Sequence, residues 1–127
     1  MKAGEAKLKY LGRTMTDADG TIWCALSGSG VEFRYRGTSL TVVMAGDDLT
    51  RLPKQQYEQV KTEQDVDYAR IAIYVNEQRI IDERLETSTK EYKIWKSENP
   101  QEITVRILKL SEAPHSIVGI REFKLAD

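Results

Sequence analysis

The stretch WCALSGSGVEFRYRGTSLTVVMA, residues 23–45, decides how this chain folds. Within it Val31, Phe33 and Tyr35 alternate with Glu32, Arg34 and Arg36. Side chains of an extended chain point to opposite faces with a period of two, so this is the pattern of a half-buried β-strand. After Gly37-Thr38, residues 39–45 are rich in β-branched and apolar side chains on both faces, which suits a more central strand. Gly28-Ser29-Gly30 stands ahead of both. A nucleophile elbow of the G-x-S-x-G kind needs glycines two places before and after its serine and a helix behind it. Neither Ser27 nor Ser29 has that frame, and a strand follows, so the glycines read as a hairpin connection.

The same alternation recurs at residues 69–76, where Ile71, Ile73 and Val75 oppose Ala72 and Tyr74, and at residues 103–107, where Ile103, Val105 and Ile107 oppose Thr104 and Arg106. Shorter candidates are residues 8–11, 22–26, 79–82, 91–95 and 117–125. About nine short antiparallel strands separated by turn residues, with no strong helical period, predict an all-β fold: a jelly-roll-like β-sandwich in a single domain, residues 1–127. Residues 48–67 break the rhythm. They are polar, carry Pro53, and place Tyr57 and Val60 three apart among helix formers, which predicts a long loop with at most a short helix.

Length and charge narrow the function. At 127 residues the chain has room for one core. Nineteen basic and twenty acidic residues, interleaved, leave a net charge of −1, which argues against a nucleic-acid or anionic-membrane partner. The apolar runs at 40–45 and 71–75 fall far short of the roughly 20 residues of a spanning helix, so a soluble domain is expected. A single cysteine, Cys24, excludes an internal disulfide and a multi-cysteine zinc cluster, and suits a small buried hydrophobe. The first seven residues have the charge of a secretion signal's first region without an apolar stretch behind it; the protein is either cytoplasmic or has lost a leader.

Three constellations bear on chemistry. Glu112-Ala113-Pro114-His115 resembles the D-x-x-H block of SGNH hydrolases, in which a carboxylate orients the histidine that activates serine. The matching G-D-S block is missing, because Gly46-Asp47 runs into Asp48, so no catalytic residue is assigned. Asp17-Ala18-Asp19-Gly20 echoes the start of a calcium loop, yet the twelfth position holds Gly28 instead of glutamate; a turn capped by side chains is expected and no metal ligand or cofactor is assigned, with a structural calcium shared with distant loops as the alternative. The aromatics remain. Trp23, Trp95 and Tyr92 are the candidate carbohydrate-binding residues, since a pyranose presents a flat C–H face to such rings; Trp95, beside Lys93 and opposite in phase to Tyr92 and Ile94, is the one most expected to be exposed. Arg13 and Glu112 both flank expected strand ends, and a strand-end arginine meeting a carboxylate partner there is also expected; if that pair is buried, losing one partner would cost about 3–5 kcal/mol.

Three pieces, YLGRTMTDADGTIWCALSGSGVEFRYRGTSLTV, IAIYVNEQRIID and ITVRILKLSEAPHSIVGIREFKL, resemble in order the N-terminal β-sandwich domain of carbohydrate esterase family two. Gly12-Arg13, the W-x-x-x-S-G-S run from Trp23 to Ser29, the FRYRGTSL run from Phe33 to Leu40, and Lys109-Leu110-Ser111-Glu112-Ala113 carry the resemblance. In that family the domain precedes an SGNH-type hydrolase domain, which holds the catalytic residues. The resemblance implies a non-catalytic module of a secreted or cell-surface, acetylxylan-type esterase acting on plant polysaccharide, with the hydrolase domain as its partner. An independent carbohydrate-binding module is the alternative. Two departures stand out: Asn76-Glu77 replaces an Asp-Gly turn, and the polar segment after Asp47 differs.

Overall fold

The computed structural model describes residues 1–24, 27–46, 70–85, 89–110 and 117–126. A short 3-10 turn, Ala3–Glu5, precedes eight strands: β1 Lys9–Leu11, β2 Thr14–Thr16, β3 Ile22–Cys24, β4 Gly30–Gly46, β5 Arg70–Val75, β6 Gln78–Arg84, β7 Lys90–Lys109 and β8 Val118–Ala126. Every pairing is antiparallel. The hydrogen-bonded order is β2-β3-β8-β4-β7-β5-β6, with β1 beside the start of β4. No helix among the described residues is long and apolar enough to cross a membrane.

Two pairs of expected strands are fused. The alternating run at residue 31 continues through Gly37 to Gly46 as β4, and the runs at 91–95 and 103–107 join as β7. The β4–β7 ladder breaks between Gly37 and Ser39. Gly37 faces Gln101 and Ser39 faces Lys96, so Thr38 alone spans what residues 97–100 span on the partner strand. Such an irregularity bends and twists a ladder, and here it carries both strands from one layer into the other. Beyond the bend β8 pairs with β4 from Ser39 to Gly46, whereas β1 and β5 pair with the other halves of β4 and β7.

The two layers close on a single core. Val31, Ile71, Ile73, Val75, Ile103, Val105 and Ile107 meet Leu40, Val42, Met44, Tyr92, Ile94, Ile120 and Phe123, all buried. Ile71, Ile73, Val75, Ile103, Val105 and Ile107 are the odd-numbered residues of β5 and of the second half of β7 that the alternation places on one face. The ends are tied by the N-terminus, whose Met1 ammonium donates to the Phe123 carbonyl at 2.9 Å while Phe123 N–H donates to the Met1 carbonyl at 2.8 Å.

The turn at Gly28 grips β7 but does not make the expected hairpin: the strands it joins, β3 and β4, are not bonded to each other, because β8 lies between them. Gly28 N–H donates to the Lys109 carbonyl at 2.7 Å, and Lys109 N–H returns a bond to the Ser29 carbonyl at 2.9 Å. Gly30 must lack a side chain here, since a Cβ would stand 1.8 Å from the Ile107 carbonyl oxygen. Asn76 and Glu77 form the two-residue β5–β6 turn with φ of 52° and 68°. That is the geometry an Asp-Gly turn would adopt, reached without glycine.

The expected Arg13–Glu112 pair falls partly outside the described residues. Arg13 is exposed and makes no ion pair with a described residue; Glu112 lies outside the described residues. Among the described residues the fully buried charged side chain is Lys109, at 0% exposure on the core face of β7. Residues 48–67 and His115 also lie outside the described residues.

Candidate functional site

The groove at the bend is built from β4 and β7. Ser39 and Thr41 line one side; Lys93, Ile94, Trp95 and Lys96 line the other, enclosing about 530 Å³. That volume lies within the range of roughly 300–1,000 Å³ common for small-ligand sites. A second register shift shapes it. Leu40 faces Trp95 and Thr41 faces Lys93, so Ile94 is an extra residue, a β-bulge. Trp95 is half-buried against the edge of the core, and its indole Nε1 donates to the Gly37 carbonyl at 3.3 Å.

The other two expected carbohydrate-binding aromatics are covered. Trp23 is 5% exposed. Its indole lies over Gly119, where a Cβ would come within 2.8 Å of the ring, and its Nε1 donates to Asp17 Oδ2 at 2.8 Å. The same carboxylate caps the Asp17-to-Gly20 turn, accepting from the N–H groups of Asp19 at 2.9 Å and Thr21 at 3.1 Å through Oδ1. Tyr92 is 4% exposed and its ring packs in the core. Its hydroxyl donates to Glu83 Oε1 at 2.6 Å, an oxygen that also accepts from Lys90 Nζ at 2.6 Å. Burial raises the Tyr92 phenol above its usual range, and the Lys90 and Tyr92 donors hold the Glu83 carboxyl below its own. Trp23 and Tyr92 are thus buried within the domain, and of the three rings Trp95 is the one left half-buried. Strand phase alone did not show what would lie over each ring.

Nucleophile candidates are occupied structurally. Ser27 Oγ donates to the Leu110 carbonyl at 2.9 Å. Ser29 is buried beside Cys24, and burial pushes the Cys24 thiol up to about 11, so it stays protonated at neutral pH. Among the described residues no group of three His, Cys, Asp or Glu side chains is placed to hold a metal.

Sequence comparison with curated proteins finds no match. A family model described as "Carbohydrate esterase 2 N-terminal" matches residues 10–127. The chain belongs to this family. Among solved structures, a family two carbohydrate esterase from Cellvibrio japonicus superposes with a TM-score of 0.75 at 17% identity, covering 98% of this chain and 32% of that one. An acetyl xylan esterase from the rumen bacterium Butyrivibrio proteoclasticus gives 0.75 at 18%, covering 98% and 31%. A carbohydrate-binding-module domain of a multidomain xylanase, from the hindgut metagenome of Trinervitermes trinervoides, gives 0.60 at 12%, covering 99% and 94%. The chain thus spans about a third of the esterases' length. At these identities the likeness is one of fold, and it agrees with the bent two-layer sheet of this carbohydrate esterase 2 N-terminal domain.

Proposed function

We propose that this domain is a non-catalytic accessory module of an acetylxylan-type carbohydrate esterase, packing against an SGNH-type hydrolase domain during plant polysaccharide deacetylation. The observation that carries the proposal is one of extent. The N-terminal family model covers residues 10–127, while the solved esterases with this fold are about three times as long. The engaged Ser27 hydroxyl and the protonated Cys24 thiol support a supporting rather than a chemical role. With a plant polysaccharide as substrate, this reading has the parent protein work outside the cell or at its surface.

The test mixes this chain with the hydrolase domain of a family two carbohydrate esterase stripped of its own N-terminal domain. Co-elution, together with no hydrolysis of p-nitrophenyl acetate by this chain above a boiled control, is the expected result. Robust turnover by this chain alone, abolished by one serine substitution, would overturn the proposal, and so would separate elution. A second reading, an independent carbohydrate-binding module, is favoured by the Trp95 groove. Affinity electrophoresis against xylan, glucomannan and cellulose distinguishes it, because retardation lost on Trp95→Ala requires that the groove bind sugar.

A further inference from the structure

The outermost row of the core stays partly open. Leu40 of β4 pairs with Trp95 of β7 on one side and with Leu125 of β8 on the other, so the three side chains share one face, the core face. Leu40 is buried, Trp95 is half-buried with its Nε1 held by the Gly37 carbonyl, and Leu125 is 45% exposed. Two residues before Leu125, Phe123 exchanges both backbone bonds with Met1. Residues paired in that way put their side chains on the same face, and Met1 is 57% exposed. Single exposed apolar side chains are ordinary on a protein surface, and Tyr10, Met15 and Ile80 are such cases, each on a different strand. Met1 and Leu125 instead continue a row of neighbouring strands that runs through buried Phe123 and Leu40 to Trp95.

We propose that this end of the core, marked by Met1, Leu125 and Trp95, is the surface on which the hydrolase domain docks, an inference that rests on the accessory-module reading. Position selects that partner. The family model describes an N-terminal domain and reaches residue 127, while the solved esterases with this fold are about three times as long, so in such an esterase the rest of the protein follows the end of β8. Leu125 is the last residue but one of β8, and Ala126, the last, stands opposite Ser39. The connection to the next domain therefore leaves from beside the exposed row, and docking there closes only a short loop, which keeps the entropic cost of association low. Composition agrees with position. The row offers thioether, aliphatic and indole groups around buried Leu40 and Phe123 and contains no charged side chain, as the centre of a protein–protein interface does. A glycan needs partners for its hydroxyls, and the indole N–H, the polar group of this row, is already given to Gly37.

The test adds variants of the whole chain to the mixture with the hydrolase domain of a family two carbohydrate esterase, read by calorimetry and by light scattering after gel filtration. Leu125→Asp should weaken binding about tenfold or more, since it sets a charge in the apolar centre of the contact. Ile80→Asp on β6 and Met15→Asp on β2, also at exposed apolar positions, should bind as the unmodified chain does. Urea midpoints check that each variant is folded. A readout free of substitution is methionine oxidation by peroxide, in which the hydrolase domain should shield Met1 and leave Met15 reactive. Full binding by folded Leu125→Asp, loss of binding with Ile80→Asp or Met15→Asp, or an unshielded Met1 in the complex overturns this surface and leaves the accessory reading standing. No binding by the unmodified chain removes both. A dimer of this chain that Leu125→Asp disperses, with the hydrolase domain left unbound, gives the face to a second copy and likewise overturns the proposal.

Discussion

The rings of Phe33 and Phe123 meet with centroids 4.9 Å apart and planes inclined at 57°. Phe33 belongs to the half of β4 that pairs with β1 and with residues 101–108 of β7, while Phe123 pairs with Val42, beyond the bend. The contact therefore joins the two layers, in the tilted geometry that aromatic quadrupoles favour. Phe123→Ala should destabilise the domain by about 3–5 kcal/mol, and a double-mutant cycle with Phe33→Leu should show coupling of about 0.5–1.5 kcal/mol. Urea melts of the four proteins measure both; additive losses would mean that the rings do not act across the layers.

Glu77 sits at φ 68°, in the left-handed region where a side chain crowds the backbone. Asn76 is better suited to its own φ of 52°, and its Oδ1 accepts from the Thr104 N–H at 3.0 Å. Glu77→Gly should raise stability by about 1 kcal/mol, read as a higher urea midpoint at unchanged slope. Asn76→Gly should not stabilise, because it loses the bond to Thr104.

Asp17 holds three donors with one carboxylate: the N–H groups of Asp19 and Thr21, and the Trp23 indole. Asp17→Ala should cost about 1–3 kcal/mol and redden Trp23 fluorescence as its ring loses cover. Asp17→Asn keeps the acceptor toward the turn and should cost less. Equal losses for the two variants would show that the charge, not the acceptor geometry, matters.

Alkaline stability should carry the mark of Cys24. Its thiol ordinarily titrates near 9.0 and burial raises it to about 11 in the fold. Between those values the unfolded chain sheds a proton that the native state keeps, so stability falls as pH rises through that window and is unaffected below it. The Tyr92 phenol, also raised, acts with the same sign at higher pH. Cys24→Ala should remove a loss of about 2–3 kcal/mol between pH 9 and 11, whatever its effect at pH 7. Chemical melts at pH 7, 9 and 11 test this; an identical fall in both proteins would assign the loss elsewhere. The native thiol should also resist aromatic disulfide reagents until the chain unfolds.

Much of this was legible in the residues. Alternation located β4, β5 and the second half of β7 and put Val31, Ile71, Ile73, Ile103, Val105 and Ile107 on the core side, where they are buried. It also separated the turn at Gly28 from a nucleophile elbow. The three-residue strand Thr14–Thr16 was missed, since so short a run has no period to detect. The fusion of 31–36 with 39–45 was missed because Gly37-Thr38 looks like a turn whether the chain reverses or only bends.

By itself the sequence determined the class: period-two patterning yields strands and faces, because alternation is a property of each extended segment alone. Only the tertiary structure decided which aromatic rings are covered. How far Trp23, Tyr92 and Trp95 are covered depends on what crosses each ring: Gly119 and Asp17 in the first case, the core in the second, and the edge of the core beside Gly37 in the third. The face shared by Lys93 and Lys96 depends likewise on one unpaired residue, Ile94, whose bulge exists only against β4. Register and curvature belong to a pair of strands, and no single segment encodes them.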